Sequence, residues 1–107
     1  MQLEVIAERD DLVIHRMVLD PGEATFWHTD ACERCSVIVR GSRLAIEFQG
    51  DGQVVEFGVT AGPTGWDEPE QRVHRAINRG RDVYEEVVTF YRSSREVEPQ
   101  PRSDLHA

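Results

Sequence analysis

Hydrophobic and polar residues alternate along much of this chain. Leu44, Ile46 and Phe48 are interleaved with Arg43, Ala45, Glu47 and Gln49, the period of two that marks a half-buried strand. Gly50-Asp51-Gly52 then turns the chain into Gln53–Val59, where Val55, Phe57 and Val59 share a face. Together these segments read as a β-hairpin. Arg40-Gly41-Ser42 is a second tight turn, following a strand at Ser36–Val39. Further strands are predicted at Leu3–Glu8, Leu12–Leu19, Arg72–Ile77 and Val83–Tyr91, and Asp20-Pro21-Gly22 is a turn by composition. No stretch sustains a helical period with caps. The fold class predicted is all-β: a small antiparallel β-barrel or double-sheet jelly roll of roughly eight to ten strands.

The chain has 107 residues, enough for one modest core and no second module. The strand pattern ends near Tyr91, so residues 1–92 are expected to form the domain. Residues 93–107 are polar, contain Pro99 and Pro101, and read as a tail that is flexible or packs on a partner chain.

Charge narrows the partners. The formal net charge is −8, and all 12 basic side chains are arginine. A phosphate backbone would be repelled, and no basic stripe interleaved with aromatics appears, so nucleic acid is not expected. No apolar run reaches the roughly 20 residues of a membrane span. The start, Met1-Gln2-Leu3-Glu4, lacks the basic flank and apolar core of a secretory signal, and a cytoplasmic protein is expected. Cys32 and Cys35 form a lone C-x-x-C. A zinc ribbon needs a second pair, and a redox motif should open a helix where Ser36-Val37-Ile38-Val39 reads as strand. They read as two ordinary thiols.

The residues that could carry chemistry are His28, Asp30 and His74. If His28-Thr29-Asp30 is extended, His28 and Asp30 project on one face. His74 lies in another predicted strand. Two imidazoles and a carboxylate suit a first-row divalent metal and leave positions open for water or substrate.

These stretches resemble the two sequence motifs of the cupins. Gly22, His28 and Gly41 fall on the spacing of the first motif, and Pro69, His74 and Asn78 on that of the second. The resemblance spans roughly residues 12–92. It implies a cupin barrel with a metal held by His28 and His74, and a homodimer. The family's other ligands are replaced: Asp30 stands where a second histidine is usual, and Arg34 where a glutamate is usual. Asp30 can substitute as a ligand, whereas Arg34 cannot ligate a cation. Glu33 would need a bulge to point inward, and Cys35 sits on an alternative spacing of the motif. Arg34 facing inward would be an ion-pair partner for Asp30 or an anchor for a substrate carboxylate, and its charge would compete with the metal. Trp66 and Phe26 are candidates for aromatic walls of a pocket.

The metal implied is Fe, Mn, Ni or Zn. Two functional readings stand at this level. One is a metal-dependent enzyme acting on a small carboxylate-bearing metabolite. The alternative is a non-catalytic small-ligand-binding or sensor barrel with a degenerate site.

Overall fold

A computed structural model of the protein describes residues 1–92, which form nine strands and two antiparallel sheets. The expected tail at 93–107 lies outside the described residues. The strands are β1 (Gln2–Arg9), β2 (Leu12–Leu19), β3 (His28–Asp30), β4 (Glu33–Arg40), β5 (Arg43–Phe48), β6 (Val54–Gly58), β7 (Gly62–Asp67), β8 (Glu70–Asn78) and β9 (Tyr84–Tyr91). One sheet runs β1-β2-β9-β4-β7 and the other β3-β8-β5-β6, the double-sheet jelly roll that the alternation predicts. Among the described residues no helix is long and apolar enough to cross a membrane.

The predicted hairpin is β5–β6, with Leu44 opposite Phe57 and Ile46 opposite Val55. Asp51 closes its turn by accepting a hydrogen bond from the Gln53 amide at 2.9 Å. The turn at Gly41-Ser42 has a different role. It carries the chain from one sheet to the other, because β4 and β5 lie in different sheets. Gly41 has φ +141°, and a Cβ there would sit 2.6 Å from the Tyr84 ring, so glycine is required on both counts.

The core gathers at this closed end. Met17, Leu19, Ile38, Leu44 and Tyr84 pack together, with Leu19 and Tyr84 only 0% and 2% exposed. Asn78 seals the same end. Its Nδ2 donates to the carbonyls of Leu19 and Asp82 at 3.0 and 2.9 Å, and its Oδ1 accepts from the Gly80 amide at 2.9 Å. The asparagine of the second motif is therefore a buried clip between loops.

Above this core the two sheets do not close on each other. They leave a cavity of about 420 Å³, lined by inward side chains of both sheets, among them His28, Asp30, Arg34, His74, Ile46 and Glu86. Protein interiors rarely keep voids much larger than a water molecule. A space of this size matches the range of small-molecule sites.

Candidate metal centre

The head of the cavity is built by β3 and β8. These strands pair with His28 directly opposite His74, and the two rings lie 4.6 Å apart. Asp30, two residues on, projects from the same side as His28, and a register shift between them sets Asp30 opposite Glu70. One potential ligand atom from each of His28, Asp30 and His74 lies within 4.8 Å of the others. His74 Nε2 is 2.9 Å from Asp30 Oδ2, and His28 Nε2 is 3.7 Å from Asp30 Oδ1. The three residues singled out in the sequence thus converge on one point.

The outer nitrogens of both rings are held by the backbone. His28 Nδ1 donates to the carbonyl of Phe26 and His74 Nδ1 to the carbonyl of Arg72, each at 2.7 Å. A carbonyl can only accept, so Nδ1 of each ring carries the hydrogen and Nε2 faces the carboxylate. This is how metal-bound histidines are usually fixed in tautomer and orientation. The donor set fits a divalent cation: two imidazole nitrogens and one carboxylate oxygen.

Without a metal, a proton takes the cation's place. The 2.9 Å contact between His74 Nε2 and Asp30 Oδ2 needs a hydrogen between the two atoms, and the charge balance of the pair favours the nitrogen, making His74 an imidazolium. Burial works against a charged His74, but the Asp30 hydrogen bond and the Arg72 carbonyl outweigh it, and its pKa is raised above 6.5. Burial also works against a charged Asp30. The His74 hydrogen bond and the charges of Arg34, His28 and His74 prevail, and its pKa falls below 3.8.

Arg34 faces inward. It lines the cavity, with one terminal nitrogen 3.5 Å from Asp30 Oδ2 and the other donating to the Glu68 carbonyl at 3.2 Å. A guanidinium has five N–H donors, so this arrangement leaves capacity for an incoming anion. Glu33 and Cys35, its neighbours on β4, alternate to the outer face of the sheet and do not line the cavity. Cys35 is half-buried and Cys32 is buried, and the two are not joined by a disulfide. Glu70 lies opposite Asp30 but is taken by Arg72, whose amide, Nε and Nη2 donate to it at 2.9, 3.1 and 3.0 Å. Those bonds hold its carboxyl at about 2 and turn it away from the metal ligands.

Phe26 lines the cavity, as expected, but Trp66 does not. Trp66 stacks on Tyr91, ring centres 5.0 Å apart, and is 64% exposed. The cause is an irregularity in the β4–β7 ladder. Ser36 pairs with Gly65 and Val37 with Pro63, so Thr64 is bulged out, and Gly65 has φ +95°. Thr64 and Asp67 then line the cavity while Trp66 is turned out.

No protein-family model matches the chain, and no curated protein matches it. Solved structures do. A cupin domain from Bordetella pertussis Tohama I superposes with a TM-score of 0.71 at 21% identity, over 84% of this chain and 91% of that one. The chain has the cupin fold. A double-stranded β-helix protein from Klebsiella pneumoniae aligns at TM-score 0.62 and 21% identity, over 84% of this chain and 76% of that one. An oxalate oxidase in complex with the substrate analogue glycolate aligns at TM-score 0.57 and 21% identity, over 76% of this chain and 42% of that one. Within this fold Gly22, Gly41 and Asn78 shape the closed end, while His28, Asp30, Arg34 and His74 furnish the open one.

Sequence reasoning passed over Glu86 and His15, both of which line the cavity. The signal for Glu86 was its phase. It shares the inward face of β9 with Tyr84, Val88 and Phe90.

Proposed function

We propose that this protein is a metal-dependent enzyme acting on a small carboxylate-bearing metabolite. One observation carries the reading: two histidines with backbone-fixed Nδ1 atoms aim Nε2 at one carboxylate at the head of a 420 Å³ cavity. His28, Asp30 and His74 would hold Fe, Mn, Ni or Zn. When bound, such an ion supplies a Lewis acid with open positions for a substrate oxygen.

The remaining roles fall to the chain's own residues. Arg34 anchors the carboxylate next to the ligand triad, where its planar fork suits two oxygens at once. Phe26 and Ile46 provide apolar wall and exclude water from the bound molecule. His74 gives up its Nε2 proton as the cation enters, so binding is coupled to pH. The glycolate complex of the oxalate oxidase, with its small hydroxy carboxylate, is compatible with this ligand class. β1 lies at the edge of its sheet with Val5 and Ile6 exposed, which supports a homodimer formed through that edge.

The alternative is a non-catalytic binding barrel, and Arg34 favours it, because its charge next to Asp30 competes with a cation. Metal content decides between them. Untagged protein should carry a stoichiometric transition metal by elemental analysis. Stripped protein should regain about 2.7 kcal/mol of stability at a hundredfold excess of metal over Kd. His74→Ala should lose both effects, and wild-type affinity should fall as pH drops below the His74 pKa. A wild type that carries no metal and gains no stability from Fe, Mn, Ni or Zn refutes the enzyme reading.

A further inference from the structure

The metal-site reading leaves one buried acid without a task. Glu86 projects from the middle of β9 into the cavity, on the sheet opposite His28, Asp30 and His74. Protein surrounds it on all sides, yet its side chain keeps the accessible surface of a cavity wall. The Tyr84 hydroxyl donates to its Oε1 at 2.5 Å and fixes the carboxyl group from below. Its other inward neighbours in this part of the sheet are apolar: Met17, Ile38 and Val88. A lone carboxyl presented into apolar surroundings is costly unless something polar meets it.

The register fixes its place relative to Arg34. Arg34 lies opposite Phe90 and Ile38 opposite Glu86, so the two positions are four residues apart along the β4–β9 ladder. That is about 13 Å of strand, from which two long side chains reach toward the space between them. Burial raises the Glu86 pKa, Asp30 and Asp67 push the same way, and the Tyr84 bond and Arg34 oppose them. The cavity therefore has Arg34 at one end and an acid at the other, with Val88 between them flanked by His15 and Ser36.

We propose that Glu86, held by Tyr84, is a specificity-determining residue that receives the hydroxyl of a hydroxy carboxylate whose carboxylate end is held at Arg34. This rests on the carboxylate-binding reading of the site. A hydroxyl both donates and accepts, so it satisfies Glu86 in either protonation state. A second carboxylate at that end would meet the Glu86 carboxyl and be disfavoured. A methyl end would leave the acid buried without a ligand partner, and sites built for a hydroxyl discriminate strongly against analogues lacking it. The span favours a chain of roughly four to six carbons.

Calorimetric titration of the full chain, metal-loaded and metal-stripped, tests this with 4-hydroxybutyrate and 6-hydroxyhexanoate, their parents butyrate and hexanoate, and the diacids succinate and adipate. Wild type should bind at least one hydroxy acid about tenfold more tightly than its parent, and more tightly than the diacid of the same length. Glu86→Leu should reduce that ratio to about one while hexanoate affinity and metal content hold. Glu86→Gln should keep part of the preference, and Tyr84→Phe should narrow it. Equal affinity for each pair in wild type, no binding of any probe, or a preference that survives Glu86→Leu overturns the proposal. Loss of metal in Glu86→Leu also overturns it, since Glu86 would then act on the metal site. If wild type binds no metal, the preference is still measured on Arg34 alone, so the two readings fail separately.

Discussion

Asp30 is the keystone of the site's electrostatics, and Asp30→Asn tests that claim directly. The carboxylate is 9% exposed and contacts His74 at 2.9 Å, Arg34 at 3.5 Å and His28 at 3.7 Å. Asparagine keeps the shape and one hydrogen bond but removes the charge. Deleting one partner of a buried ion pair costs about 3–5 kcal/mol, and the isosteric amide places this change near the lower bound. The loss should depend on pH. His74 has a raised pKa, so its contribution is complete below 6.5 and disappears as pH rises through its folded value. Asp30 has a lowered pKa, so its contribution is present above 3.8 and disappears as pH falls through its folded value. The pair is therefore strongest between these limits. In metal-stripped protein, Asp30→Asn should cost about 3 kcal/mol at pH 5, or roughly 15 °C in Tm. As pH rises toward 9 and through the folded pKa of His74 the ring loses its charge, leaving only the Arg34 contact and hydrogen-bond quality to differ, so the cost should shrink toward about 1 kcal/mol. Urea unfolding at the two pH values measures both numbers. Equal destabilisation at pH 5 and pH 9, or a smaller one at pH 5, refutes the assignment of His74 as an imidazolium paired with Asp30.

The closed end yields two further predictions. Gly41→Ala should cost roughly 2–3 kcal/mol, because the new methyl meets the buried Tyr84 ring at 2.6 Å on a backbone of φ +141°. Gly22→Ala, with φ +87° but nothing within 4 Å, should cost only about 1 kcal/mol in the same thermal melt. Asn78→Ala removes three hydrogen bonds and should cost about 3 kcal/mol in urea unfolding, with metal stoichiometry by elemental analysis unchanged.

Strands whose two faces differ were legible in the sequence. β5 alternates, and the predicted bounds of β2, β5 and β9 lie within about one residue of those observed. β7 was not legible. Its sequence Gly62-Pro63-Thr64-Gly65-Trp66-Asp67 carries turn residues and no apolar period, and its ladder with β4 holds it extended. The same strand shows why Trp66 was misplaced, since a bulge moves a side chain to the other face without changing composition. The orientation of Arg34 was hidden for a different reason. Val37, Ile38 and Val39 are all apolar, so β4 has no visible phase. Only Ile38 is buried, whereas Val37 and Val39 are 42% and 46% exposed, and this fixes Arg34, four residues before Ile38, on the inner side. His28, Asp30 and His74 were legible because the motif spacing carries them. Glu86 was overlooked although β9 has a clear phase, because a glutamate in a strand is ordinarily taken as solvent-facing.

The inward face of the strands thus changes character along the barrel. At one end it carries Leu19, Leu44 and Tyr84 with Asn78, which exclude water and fix the crossover at Gly41. At the other it carries His28, Asp30, Arg34 and His74, four polar side chains that a packed core would not tolerate unpaired. They tolerate burial because each satisfies another: Asp30 is shared by Arg34 and His74, and the histidines are held by backbone carbonyls. His28, Asp30 and His74 would hold a cation in place of the His74 Nε2 proton, with the Asp30 carboxylate shared with Arg34. Arg34 beside it would compete with that cation for Asp30. Glu86 stands between the two ends, attached to the packed one through Tyr84 and open to the polar one through the cavity.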